Sequence, residues 1–168
     1  MQFTELLSGG DRRSTAAADA VAVLATEPAA FADLWPLLAH PDPLVRMRAA
    51  DAAEKASRDR PTLLAPFADD LLSGRLEDGS QELTWHLLPM TARLPLEPEQ
   101  EGRLMRRCED AVLNHPSHIV QAEALSAAFT LAARDRRHVA RVRSLARTAL
   151  KSPSKALAAR ARRLLDGA

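Results

Sequence analysis

Tyrosine is absent from this 168-residue chain, phenylalanine occurs four times and tryptophan twice. Aromatic and β-branched side chains are too scarce to build a sheet, and the apolar share of 46% rests mainly on Ala and Leu, which are the strongest helix formers. The single cysteine, Cys108, excludes an internal disulfide and a thiolate metal cluster, and fits a reducing compartment. No apolar run reaches the roughly 20 residues that span a bilayer. The opening MQFTELLSGGDRR lacks a basic segment ahead of an apolar one. These absences lead to the expectation of a soluble, cytoplasmic, all-α protein with no membrane partner. Gly-rich phosphate loops and nucleophile elbows are also missing, which removes the commonest signatures of nucleotide and acyl chemistry.

A period is what the chain does have. Val45, Leu83, Val120 and Leu157 follow one another at steps of 38, 37 and 37 residues. Four positions on stand Ala49, Leu87, Ala124 and Ala161, and three further Ala52, Met90, Ala127 and Leu164. Apolar residues at i, i+4 and i+7 form one face of a helix. The same spacing links Met105, Cys108 and Leu113 to Val142, Leu145 and Leu150, so a second set of helices shares the period. Helices recurring in this way predict stacked units, an extended repeat protein suited to binding.

Approximate repeats cover residues 1–26, 28–59, 61–94, 97–134 and 136–165 of one domain, each a helix pair. Gly9-Gly10 breaks the first pair, and Asp11 or Ser14 is a candidate cap for its second helix. Asp42 before Pro43 is a strong helix start: the carboxylate accepts unpaired N–H groups, and Pro lacks only a donor that would have been orphaned. Pro36 predicts a kink or a late start, and Pro89 a kink inside a helix. RLEDGS, residues 75–80, reads as the turn of the third pair.

The segment HPDPLVRMRAADAAEKA, residues 40–56, resembles a HEAT repeat of the short bacterial kind, with D-P in the turn and V-R in the second helix. NHPSHIVQAEALSAAFTLA and KSPSKALAARARRLL match more loosely, and Arg13 stands where the apolar column of the irregular first pair would begin. The resemblance implies a right-handed α-solenoid (HEAT-like or ARM-like superhelix) of about five antiparallel helix pairs, with second helices lining the concave side. It also implies that Arg46 ties neighbouring repeats. HEAT-like proteins include scaffolds, regulators of complexes, pigment lyases and DNA glycosylases, so the fold does not select a function.

On the expected concave side, one register column reads Arg48, His86, Glu123 and Arg160, and another Arg46, Thr84, Gln121 and Ala158. Both are polar enough to point away from the core, either as a ligand-facing strip or as a ladder between repeats. Trp85 aligns with Met47, Ala122 and Ala159 and reads as core, with a ligand-facing role as its rival. Trp35, beside Leu34, Leu37 and Leu38, reads as core.

Charge is segregated along the chain. Residues 1–60 carry 7 Lys+Arg against 9 Asp+Glu, residues 61–133 carry 5 against 11, and residues 134–168 carry 11 against 2. Within that basic end Arg136, Arg143 and Arg147 are spaced by seven and four, as on one helical face. Such a patch suits an acidic protein partner, phosphates gripped without base reading, or a soluble cap on the stack.

Catalytic constellations are thin. Among the five histidines, His115 and His118 are close, but no cysteine is near and Glu123 lies off their face, so no metal site is expected. His40 and His115 sit beside Pro in related turns and read as structural. Asp69-Asp70 and Glu109-Asp110 diverge around a helix and do not form an acid/base pair. The leading expectation is a monomeric, non-enzymatic scaffold or interaction module without a cofactor. Nucleic-acid binding through the Arg-rich end, with a link to DNA repair, is the alternative, and an enzyme using Arg48, Trp85, His86 and Glu123 the third reading.

Overall fold

The computed structural model describes residues 3–10, 15–74 and 80–167, which form only helices, turns and bends. The helices among them are α1 (Phe3–Leu7), α2 (Ala16–Leu24), α3 (Pro28–Leu34), α4 (Pro43–Arg58), α5 (Ala68–Ser73), α6 (Gln81–Arg93), α7 (Pro98–Asn114), α8 (His118–Arg134), α9 (Val139–Ala149) and α10 (Lys155–Asp166). Tighter 3-10 segments cover Trp35–Ala39, Pro61–Phe67 and Arg136–His138. Asp11, Arg13, Ser14 and most of the RLEDGS turn lie outside the described residues. The chain divides into two compact units, Met1–Met90 and Thr91–Ala168, and the boundary falls inside α6 next to Pro89.

Helices α4, α6, α8 and α10 begin at Pro43, Gln81, His118 and Lys155, steps of 38, 37 and 37 residues that match the apolar columns. Val45, Leu83, Val120 and Leu157 are each at most 2% exposed, and the Ala49 and Ala52 columns are buried except for half-buried Leu164. In the first-helix set, Met105 and Cys108 are buried but Leu113 is 54% exposed, its place inside taken by Val112.

In the first unit α2 and the 3-10 segment Trp35–Ala39 both pack on α4. Ala49, Ala50, Ala52 and Ala53 of α4 are fully buried, so the neighbouring elements meet it across methyl groups. Asp42 caps α4 as expected, its side chain accepting from Leu44 N at 2.8 Å, with Pro43 in the first turn. Before Pro36, α3 ends at Leu34 and the chain tightens into 3-10 turns, because Pro removes the donor that an α-helix needs there. Pro66 similarly lies in the 3-10 segment before α5. An aromatic cluster closes this region: Trp35 stacks on Phe67 with centroids 4.4 Å apart, and Phe31 meets both. Trp35 Nε1 donates to Asp70 at 3.0 Å, which satisfies its one polar group.

In the second unit α7 packs on α8, and α8 meets α9 and α10. A reciprocal capping box starts α7, with Gln100 accepting from Glu97 N at 2.9 Å. Arg134, at the end of α8, donates to Leu94 O at 2.6 Å. Leu104, Met105, Cys108, Leu125, Leu131, Val142 and Leu157 form the core here.

Candidate interaction surface

Arg48 does not point outward as its polar column suggested. It is 3% exposed, and its guanidinium donates to Leu7 O at 2.9 Å and Gly9 O at 2.6 Å. The last carbonyls of α1 lack intrahelical donors, and Gly9 and Gly10 hold positive φ, so the chain leaves α1 in a bend that presents its oxygens to one buried cation. Its engagement with that bend gives Arg48 a structural role. His86 is half-buried and meets Trp85 edge-on at 5.7 Å; Trp85 is half-buried as well, short of the full core position expected for it. Farther along the column, Arg160 Nη2 donates to Glu123 Oε1 at 2.8 Å and Nη1 donates to the Ser126 hydroxyl, so these two candidates form a rung between α8 and α10.

The second column builds turns. Arg46 Nη1 donates to His40 O at 2.8 Å and to Pro41 O at 3.0 Å. Gln121, 75 positions later, donates to His115 O at 2.8 Å. His40 Nδ1 accepts from Asp42 N at 3.1 Å, and His115 Nδ1 accepts from Ser117 N at 3.0 Å. At the next step Ser152 Oγ takes the same role, accepting from Ser154 N at 3.1 Å. These imidazoles serve as turn acceptors, and His118 Nδ1 faces Gln121 Oε1 at 3.0 Å. The bonds of Arg46 to His40 and Pro41 thus lie within its own helix pair.

The basic end is exposed and poor in counter-charge. Residues 136–165 contain ten Lys+Arg and no Asp or Glu. Carboxylates from outside that stretch engage three of them: Asp135 holds Arg137, Glu109 holds Arg141 in a two-pronged pair, and Glu123 holds Arg160. Arg136, Arg147, Lys151, Lys155, Arg162 and Arg163 are exposed and form no ion pair among the described residues; Arg143 is exposed too. Arg136 belongs to the 3-10 segment and not to α9, so the α-helical spacing that grouped it with Arg143 and Arg147 breaks at Val139. By unit, Thr91–Ala168 carries 15 Lys+Arg against 8 Asp+Glu, net +7, whereas Met1–Met90 carries 8 against 14, net −6. Lys151, alone of these cations, lines a groove of about 370 Å³ together with Leu113, His118, Gln121 and Pro153 among others.

Three donors that the sequence reading did not connect come together elsewhere in the second unit: Glu101, Asp135 and His138. His138 Nε2 is 3.6 Å from Glu101 Oε2 and 3.9 Å from Asp135 Oδ2. Arg137 grips Asp135 with its side chain and backbone N–H, which holds that carboxyl down at about 2. The signal in sequence was only Asp135 and His138 three apart, since Glu101 lies 34 residues upstream. Cys108 is fully buried and desolvation pushes its thiol up to about 12, so it is neither a nucleophile nor a ligand in the folded chain.

Comparisons with protein-family models, curated proteins and solved structures find no match to this chain.

Proposed function

We propose that this chain is a monomeric, non-enzymatic α-solenoid of the HEAT-like kind whose C-terminal helices dock on an acidic protein surface. The observation that carries the reading is the run of ten cations without a carboxylate in residues 136–165, most of them exposed, with one of them, Lys151, lining a partly apolar groove. Four helix starts at steps of 38, 37 and 37 residues, and a turn chemistry shared by His40, His115 and Ser152, support the solenoid. Exposed Leu113 next to Lys151 favours a protein partner, because a protein offers an apolar anchor as well as charge. Nucleic acid is the second reading, favoured by the same unneutralised cations, which would each release a counterion from phosphate.

Fluorescence anisotropy separates the two. A labelled Asp/Glu-rich peptide with one Leu anchor and a labelled DNA duplex are titrated at low and moderate salt, with an Arg143→Ala/Arg147→Ala/Lys151→Ala variant alongside. The reading expects the peptide to bind with a shallow salt dependence and the variant to lose at least about tenfold, the equivalent of 1.4 kcal/mol. Tighter binding to the duplex with a steep salt slope transfers the assignment to nucleic acid. Binding to neither overturns both and leaves the basic helices as a solubilising cap. Light scattering at both salt concentrations checks the monomer.

A further inference from the structure

We propose that Glu101, Asp135 and His138 form a binding site for a divalent transition-metal ion, with Zn²⁺ as the best-suited occupant. The site lies within the second unit. Glu101 comes from the first turn of α7, while Asp135 caps and His138 ends the 3-10 turn that links α8 to α9. One ligand atom from each residue lies within 4.8 Å of the other two.

Two independent observations support an ion there. The first is the setting of Glu101, a largely buried carboxylate facing an imidazole. Glu101 is only 8% exposed, yet no described residue donates a hydrogen bond to its carboxylate. A carboxylate largely withdrawn from water is stabilised by positive charge; here His138 Nε2 stands at 3.6 Å, beyond hydrogen-bond range, and Arg137 acts on it electrostatically, so a bound cation would add to a field that already favours the charged form. The second is spacing. Zinc bonds of about 2.1 Å in a tetrahedron put neighbouring donors about 3.4 Å apart. The observed 3.6 and 3.9 Å separations approach that edge, so small side-chain rotations would close the three atoms on a central ion.

Ligand chemistry narrows the metal. An imidazole with two carboxylates suits zinc and its first-row neighbours, whereas magnesium and calcium take all-oxygen shells. Arg137 has an orienting role: its backbone N–H donates to Asp135 Oδ1 and its Nε to Oδ2, so Oδ2, 3.9 Å from His138 Nε2, would be shared between the ion and the guanidinium. Its positive charge also weakens the site relative to one with two unpaired acids. Three protein donors leave positions for water. The bound ion would join the start of α7 to the α8–α9 link, residues 34 apart in the chain.

The test uses the full chain without an affinity tag, stripped with a chelator and then titrated with zinc chloride by calorimetry and with cobalt(II) by visible absorption. Glu101→Gln and His138→Ala remove ligands, and a His115→Ala/His118→Ala variant controls for the other close histidines. One equivalent of metal bound by the wild type and the control is expected, with at least about a tenfold loss in each ligand variant, the scale seen even for outer-shell partners. A wild type that binds no zinc overturns the proposal whatever the variants do. Binding that survives both ligand substitutions, or that disappears in the His115/His118 control, overturns it as well. Thermal melts with and without zinc give a second readout on unmutated protein: a rise in Tm is expected, and none counts against the site.

Discussion

Arg160 Nη2 meets Glu123 Oε1 at 2.8 Å, and the two residues stand 37 positions apart, the interval at which α8 and α10 begin. Both side chains are a little over one-quarter exposed, so the ion pair is partly screened. A double-mutant cycle with Glu123→Ala and Arg160→Ala, read by urea unfolding, is expected to give a coupling of about 0.5–1 kcal/mol. Zero coupling would mean that the rung is incidental to how α10 packs.

Arg48 is a harsher case. Truncating it to Ala strips the Leu7 and Gly9 carbonyls of a charged donor and opens a void in the core, and a loss of about 3 kcal/mol is expected. Arg48→Met refills the volume but not the bonds, so it should recover part of the loss and no more. Equal stabilities for Met and Arg in denaturant melts would show that packing alone matters at this position.

The turn at His40 makes a prediction by substitution of like for like. Gln121 bonds His115 O as Arg46 bonds His40 O, and the two positions share a register column. Arg46→Gln should therefore cost less than Arg46→Ala, by about 1 kcal/mol, the net worth of one hydrogen bond. Chemical denaturation of the two variants decides it, and equal losses would deny the equivalence.

Cys108 provides a pH signature. Its thiol is pushed up to about 12 in the folded chain by burial, whereas an unfolded thiol ionises near about 8.5. The stability it contributes is whole below about pH 8.5 and is lost as pH rises toward 12, because only the unfolded chain gains from ionising. Unfolding stability should fall more steeply between pH 8 and about 10 in the wild type than in Cys108→Ala. A maleimide should also label the native protein only as fast as it opens.

What the sequence made legible follows from periodicity. Apolar residues at i, i+4 and i+7 report the buried face of a helix wherever its neighbours lie, so Val45, Ala49 and Ala52 and most of their equivalents were readable as core. Local chemistry was readable too: the Asp42 cap and the interruption before Pro36 involve only adjacent backbone. Polar positions were not, because their setting depends on distant partners. Arg48 looks like a surface residue until Gly9, 39 positions away, bends its carbonyl inward. Arg136 sits at helical spacing from Arg143, but a 3-10 turn intervenes. The meeting of Glu101 with His138 depends on how α7 packs beside the α8–α9 link, which no local pattern encodes.

Ala49, Ala50, Ala52 and Ala53 give α4 an unusual relation to sequence change. Elsewhere in a core the common damage is a hole left by truncation, but a methyl group leaves almost nothing to truncate. The hazard at these four positions runs the other way, since each added carbon forces the neighbouring elements apart at about 1–3 kcal/mol a site. Neutral drift in α4 is thus funnelled away from its packed side and into positions such as Asp51 and Arg58, where side chains still touch solvent.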